Sequence, residues 1–286
     1  MRVLVTGGSG KLGRATIKHL VESGHDVINA DTIAPPENLC PFVKVDFEDM
    51  RATIEAISGF DWDHNRNTEA VVHLAAVPMP GRVAPADVFR VNTISTFNVF
   101  ESCRLLGIKN IVWASSETLL GIPYEIKPDY LPADENYQSR PETSYSLSKH
   151  LGEEMAKQYC RWDSELKIVC LRFSNVMDES EYADFPAFEQ NPGSRRFNLW
   201  TYIDARDGAQ AIRRSLEWSG KGAEVFIIAN DDGVMTTSNE ELVRRWYPGV
   251  PFKKQIGKNE TLLSIDKAKS ALGYQPEHSW RKYVGS

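Results

Sequence analysis

Cysteine is scarce, and what there is shows no pairing pattern. Cys40, Cys103, Cys160 and Cys170 stand far apart among 286 residues, without a Cys-x-x-Cys spacing, and only six histidines accompany them. A disulfide framework and a zinc ribbon are thereby excluded, and the four read as reduced, mostly buried thiols with no metal site among them. Long apolar runs are also missing. No stretch of 18 or more apolar residues exists to cross a bilayer. Met1-Arg2 leads straight into Val3-Leu4-Val5 and then glycines, without the apolar region and small-residue cleavage site of a signal peptide. Positive charge is in deficit: 33 Lys and Arg stand against 39 Asp and Glu, for a net charge of −6. That leaves no electrostatic footprint for nucleic acid or an anionic membrane. A cytoplasmic location follows as the expectation, with neither nucleic acid nor membrane as a partner.

The rest of the composition is that of a globular chain, 42% apolar and 25% charged. Short β-branched runs alternate with helical stretches, the pattern of βαβ units around a parallel sheet. Strands are predicted near 2–6, 26–30, 42–45, 70–74, 110–114 and 167–172, with helices near 11–23, 49–58, 85–106 and 144–162. Val3-Leu4-Val5 and Ala70-Val71-Val72 are apolar without alternation, as expected when helices cover both faces. The fold class is α/β, a Rossmann-type doubly wound parallel sheet with a small C-terminal substrate-binding region. From Asp178 to Gly193 the chain is acidic and reads as a loop or lid. A helix near 205–218, a strand at 224–229, a helix near 238–247 and a last helix from Asp266 to Tyr274 restore α/β texture. The expected division is a cofactor-binding domain at 1–172, and at 173–286 a mixed region holding the final sheet elements and a substrate cap.

Gly7-Gly8-Ser9-Gly10-Lys11-Leu12-Gly13 lies between the first strand and the first helix. Glycines at this spacing let the backbone turn sharply and approach a pyrophosphate, while free N–H groups and the helix dipole face the anion. Asp31 ends the second strand, about twenty residues further on, where a carboxylate can accept from both adenosine ribose hydroxyls. It would repel a 2′-phosphate, so NAD is the expected cofactor. Asp46, after Val43-Lys44-Val45, is either an adenine-side acceptor or a helix N-cap.

Tyr145 and Lys149 are four residues apart on a predicted helix, hence on one face. A tyrosine is a poor base at neutral pH, but a neighbouring ammonium stabilises its phenolate and draws its pKa down. Ser115 and Ser116 follow the strand Asn110–Ala114, at the carboxyl edge where doubly wound sheets place ligands. A hydroxyl there can donate to an oxygen passing between alcohol and carbonyl. Each feature alone is common; their order along the chain suits one cofactor site.

Thr6 to Gly13, Val72-His73-Leu74-Ala75-Ala76, Asn92 to Val99, Ser115-Ser116 with Gly121, Tyr145 to Lys149 and Leu171 to Val176 together resemble the extended short-chain dehydrogenase/reductase family, the NAD-dependent epimerases and dehydratases. The resemblance implies an enzyme with Ser116, Tyr145 and Lys149 as catalytic residues. It implies NAD held by Gly7, Gly10, Lys11, Leu12, Gly13, Asp31, Asp46, Phe47, Leu74, Ala75, Ala76, Asn92 and Lys149. The family often dimerises through helices corresponding to 85–106 and 144–162. The first of these is apolar over much of its circumference, with Val88, Phe89, Val91, Ile94, Phe97, Val99 and Phe100. A homodimer is expected.

Departures from the family pattern bear on substrate. Only 25 positions separate Asn175 from Trp200, short for the segment that shapes a nucleotide-diphosphate pocket. The short cap, the serine loop and Ser194-Arg195-Arg196-Phe197 look more like the uronate dehydrogenase branch, in which an arginine near Arg196 could clamp a carboxylate bidentately. That branch has Asn-His after the serines, where this chain has Glu117-Thr118. The carbohydrate-binding residues expected are Ser116, Glu117, Asn175 and Arg196. The expected reaction is NAD-dependent oxidation of a hydroxyl of a free sugar or sugar acid. The alternatives are a nucleotide-sugar epimerase or dehydratase that retains NAD, and a non-catalytic NAD-sensing binder.

Overall fold

The computed structural model describes residues 1–59 and 67–283. In chain order the regular elements are β1 (Arg2–Thr6), α1 (Lys11–Glu22), β2 (Asp26–Asp31), β3 (Phe42–Lys44), α2 (Met50–Ser58), β4 (Ala70–His73), α3 (Pro85–Leu106), β5 (Asn110–Ser116), α4 (Ser144–Trp162), β6 (Lys167–Phe173), β7 (Val176–Met177), α5 (Phe185–Gln190), β8 (Ile203–Asp204), α6 (Ala205–Glu217), β9 (Gly222–Ile228), α7 (Asn239–Trp246) and α8 (Asp266–Leu272). Seven strands form one parallel sheet in the order β3-β2-β1-β4-β5-β6-β9. Chain order reverses between β1 and β4, and that switch point opens a crevice beyond the carboxyl ends of the strands.

Two apolar layers explain the unbroken hydrophobic strands. Val3, Val5, Val27 and Val72 join Ile17 and Leu20 of α1 on one side, while Leu4, Val71, Ile111 and Ile168 pack with Val99, Phe100 and Tyr159 on the other. Adjacent strand residues thus point into different cores, which is why the sequence shows no alternation. β9 completes the main sheet beside β6, and α6 packs against α1, so the final third contributes to the Rossmann layer as well as to the cap.

Three differences from the sequence reading matter for the site. Asp178–Gly193 is not a loop: 3₁₀ turns at Glu179–Asp184 and Pro192–Asn198 flank α5, and β7 pairs with β8 in a separate two-stranded sheet. The segment lacks a helical period because its turns are short and its aromatics Tyr182 and Phe185 face a common core. β5 runs through both serines instead of stopping at Ala114, because β6 continues pairing to Phe173. Asp46 is not a helix cap. Its carboxylate accepts from the Glu48 N–H, and Asp49 caps α2 through the N–H groups of Arg51 and Ala52. Among the described residues no helix is long and apolar enough to cross a membrane.

Candidate active site

The glycine turn meets the switch point directly. Gly7 has φ +67°, and a Cβ on it would sit 2.6 Å from the Ala75 nitrogen, so the turn and the β4 exit loop are in backbone contact. A Cβ on Gly13 would run into the Gly7 carbonyl. Gly10 differs. Its backbone is ordinary, φ −73°, and a Cβ would meet only the Gly7 oxygen at 3.3 Å. The protein itself makes a much weaker demand for a bare α-carbon there than at Gly7 or Gly13, whereas a dinucleotide lying across the turn makes a strong one. As N-cap of α1, Gly10 also supplies no side-chain hydrogen bond, which leaves the first-turn N–H groups open to an anion.

Around this cradle, the Asp31 carboxylate accepts from the N–H groups of Ser9 (3.0 Å) and Ile33 (3.2 Å) and retains lone pairs for ribose hydroxyls. Leu74, Ala75 and Ala76 are partly exposed along the crevice. Asn92 spends its amide on the backbone of Val77, accepting at 2.7 Å and donating at 3.1 Å, so it fixes the crevice wall. Phe47 is buried against His73, and its carbonyl accepts from Asn98, so its ring faces the core and not the crevice. Lys11 reaches the Val176 carbonyl and Glu181, tying the turn to the cap. Thr6 Oγ1 accepts from the N–H groups of Leu74 and Ala75 and donates to His73 Nδ1. Burial holds that imidazole neutral, with its pKa down at about 3. These residues fit NAD.

The two serines of β5 point opposite ways. Ser115 donates to Glu153 Oε1 at 2.6 Å, and Arg172 holds the same carboxylate through two 2.8 Å bonds, all of it buried. Ser116 lies near the Tyr145 phenol. Thr118 donates to Ser116 Oγ through both its N–H and its hydroxyl. Thr143 caps α4 with a capping box through Ser146, which sets Tyr145 in the first turn. Lys149, one turn on, donates to the Ala114 carbonyl at 2.7 Å, with Nζ 5.0 Å from the Trp113 ring and 5.8 Å from the Tyr145 ring.

The expected lowering of the Tyr145 pKa is absent. Burial pushes the phenol up to about 12 and the Lys149 ammonium down to about 8. Desolvation outweighs their mutual help because Lys149 is directed to a carbonyl and the phenol to a neutral hydroxyl.

The arginine reading is corrected as well. Arg196 is exposed and stacks on Trp246, with 5.5 Å between guanidinium and ring, because it lies on the outer side of the 3₁₀ turn. Arg195 is the buried one. It donates to Asn175 Oδ1 (2.8 Å) and the Thr201 carbonyl (3.0 Å) between the rings of Phe188 and Phe197. Glu117 is buried beside it, accepting from Asn198 Nδ2 (3.3 Å) and Thr201 Oγ1 (3.1 Å). Burial lifts its carboxyl to about 7, against these donors and the Arg195 charge. Asn198 and Thr201 were not foreseen from the sequence, since the only local signal is their nearness to the arginine pair.

The NAD dependent epimerase/dehydratase family model matches residues 3–229. The chain belongs to that family. It is accordingly an enzyme of the extended short-chain dehydrogenase/reductase type, and its cofactor is NAD. Among its relatives, the mouse UDP-glucose 4-epimerase is 33% identical over 190 residues, 61% of this chain and 53% of that protein. The L-arabinose 1-dehydrogenase (NAD(P)(+)) of Haloferax volcanii is 30% identical over 242 residues, 81% of this chain and 89% of that one. A solved structure of a mutated uronate dehydrogenase superposes with a TM-score of 0.69 at 22% identity, covering 99% of this chain and 85% of the other. The match spans about half the length of the mouse and bovine UDP-glucose 4-epimerases, and 92% of the Corynebacterium glutamicum one at 26% identity.

Proposed function

We propose that this family member oxidises a hydroxyl of a free sugar or sugar acid and releases NADH. The observation that carries the reading is the approach of α4 to the end of β5, where Lys149 Nζ lies 5.8 Å from the Tyr145 ring and donates to the carbonyl of Ala114, two residues before Ser116, under a cap with only about 25 residues between Asn175 and Trp200. The 30% identity to an arabinose dehydrogenase, over 81% of this chain and 89% of that one, supports it too. We assign residues 1–172 to the cofactor and acid/base half, and 173–286 to the last sheet elements and the substrate cap. In the proposed mechanism Tyr145 Oη takes the hydroxyl proton and Ser116 Oγ orients the same oxygen. Lys149, released from the Ala114 carbonyl, stabilises the phenolate and holds a ribose hydroxyl. NAD supplies the acceptor for the hydride that leaves the carbinol carbon. Asn175 and Glu117 line the sugar side, with Arg195 in place of Arg196.

The epimerase relatives favour a second reading, in which the same groups act on a nucleotide sugar and NAD is retained. An NADH-production screen over free aldoses and uronic acids separates the two. The dehydrogenase reading expects stoichiometric NADH, with Tyr145→Phe slower by about 10²–10⁴-fold. Conversion of a UDP-sugar without net NADH, and no reaction of any free sugar, would overturn it. We further propose a homodimer through α3 and α4, where Ile94, Phe97 and Leu147 are exposed apolar residues.

A further inference from the structure

We propose that Glu117 is the specificity-determining residue of this site, selecting a neutral sugar by accepting from one of its hydroxyls and repelling sugar acids. The proposal rests on the sugar-oxidising reading above and narrows it to one class of substrate.

Glu117 immediately follows Ser116 in the chain, and it is only 5% exposed. Any oxygen held between Ser116 and Tyr145 therefore places the rest of the sugar close to this carboxylate. Its protein partners do not saturate it. Asn198 Nδ2 donates from 3.3 Å, and the single proton of Thr201 Oγ1 is shared between Glu117 at 3.1 Å and the Asn198 carbonyl at 2.7 Å. Thr201 Oγ1 is in turn hydrogen-bonded to Ser174 Oγ at 2.9 Å. A carboxylate offers about four lone-pair sites, so capacity remains for a donor. Three neighbouring groups also lack partners among the described residues: Asn198 Oδ1, an acceptor only, the hydroxyl of Tyr124, which both donates and accepts, and Arg195 Nε, a donor. Leu199 and Trp200, both at positive φ (58° and 55°), hold Asn198 and Thr201 against Glu117, and Tyr124 is at φ 52°. A sugar hydroxyl, which both donates and accepts, suits this mixture of acceptors and donors around the Glu117 carboxylate, whereas a sugar carboxylate can only accept and carries the charge that Glu117 repels.

Arg195 does not reverse this. Nη1 and Nη2 are engaged by Asn175 and Thr201, and rings of Phe188 and Phe197 lie about 5 Å from the guanidinium, so only Nε is left without a partner and no free two-nitrogen fork is presented. Facing Glu117 are therefore one partly engaged cation, Arg195, from the 3₁₀ turn, Tyr145 from α4, and Tyr124 with the neutral donors Ser174, Asn198 and Thr201.

The test is the ratio of kcat/KM for D-galactose and L-arabinose against D-galacturonate, read as NADH formation with the purified full chain from pH 5.5 to 8. Taking a ratio cancels the common titration of Tyr145 and Lys149. In wild type the neutral sugars should win by at least about tenfold at pH 8, and the ratio should shrink toward pH 5.5 as Glu117 takes up its proton. Glu117→Gln should lower the pH 8 ratio about tenfold or more and flatten its pH dependence. A wild type that prefers galacturonate, a variant ratio within twofold of wild type, or a pH-independent wild-type ratio each overturns the proposal. If Glu117→Gln fails to fold, the wild-type pH series alone decides. If no free sugar yields NADH, the sugar-oxidising reading fails separately, and the same ratio is read for epimerisation of UDP-galactose against UDP-galacturonate. Turnover of neither series overturns both.

Discussion

At the scale of single residues, the glycine turn separates binding from folding. Gly10→Ala adds a methyl that meets only the Gly7 oxygen, at a tight 3.3 Å, so the protein should fold with a loss of about 1 kcal/mol or less while NAD affinity falls about tenfold or more. Gly13→Ala drives a methyl into the Gly7 carbonyl and should destabilise by about 1–3 kcal/mol. Thermal melts and NAD titration of the two variants check this, and equal loss of stability in both would contradict the assignment. The pH dependence of stability is also legible at single residues. Native Glu117 keeps its proton up to about 7, against 4.5 for the unconstrained group, so between those values the native state binds more protons than the unfolded one. Stability contributed by that protonation is present at low pH and is lost as pH rises through the window. His73 acts oppositely. It stays neutral down to about 3, so stability falls as pH drops below 6.5. Subtracting the urea stability of Glu117→Gln from that of wild type at pH 5 and pH 8 should isolate a falling slope.

At the scale of elements, β5, α4 and β6 are joined beneath the candidate site by Ser115, Glu153 and Arg172. Their burial makes the triad costly to break: Glu153→Gln leaves the Arg172 guanidinium without its countercharge and should destabilise by about 3–5 kcal/mol, measurable as a shift in the urea midpoint. The strands and long helices were legible in the sequence because their signals, short apolar runs and helical stretches between them, are local. The choice of Ser116 over Ser115 came from resemblance alone; physically it follows from strand alternation and from Glu153 taking the other hydroxyl. The cap was misread because its packing depends on scattered aromatics meeting in space, and the choice of Arg195 over Arg196 turns on which side of a 3₁₀ turn faces inward. Neither leaves a period that a sequence can display.

At the scale of the whole molecule, the sheet and the crevice account for one face of the chain and leave another unexplained. On α3, Val88, Val99 and Phe100 are buried against the core, whereas Ile94 and Phe97 are 40% and 44% exposed. Leu147, on the neighbouring helix α4, is 41% exposed. Since α3 packs against α4, these residues belong to a two-helix outer face, and burying such apolar area in a copy of itself would favour association by roughly 25 cal/mol per Å². α4 also carries Tyr145 and Lys149, so a paired face would stiffen the helix that positions both. Light scattering on the eluted protein should therefore give about twice the 32.2 kDa chain mass. Phe97→Glu, placing a charge in that face while touching neither the sheet core nor the crevice, should yield monomers with intact secondary structure. A wild type that elutes as a monomer at micromolar concentration would sink the dimer and leave Ile94, Phe97 and Leu147 to another partner.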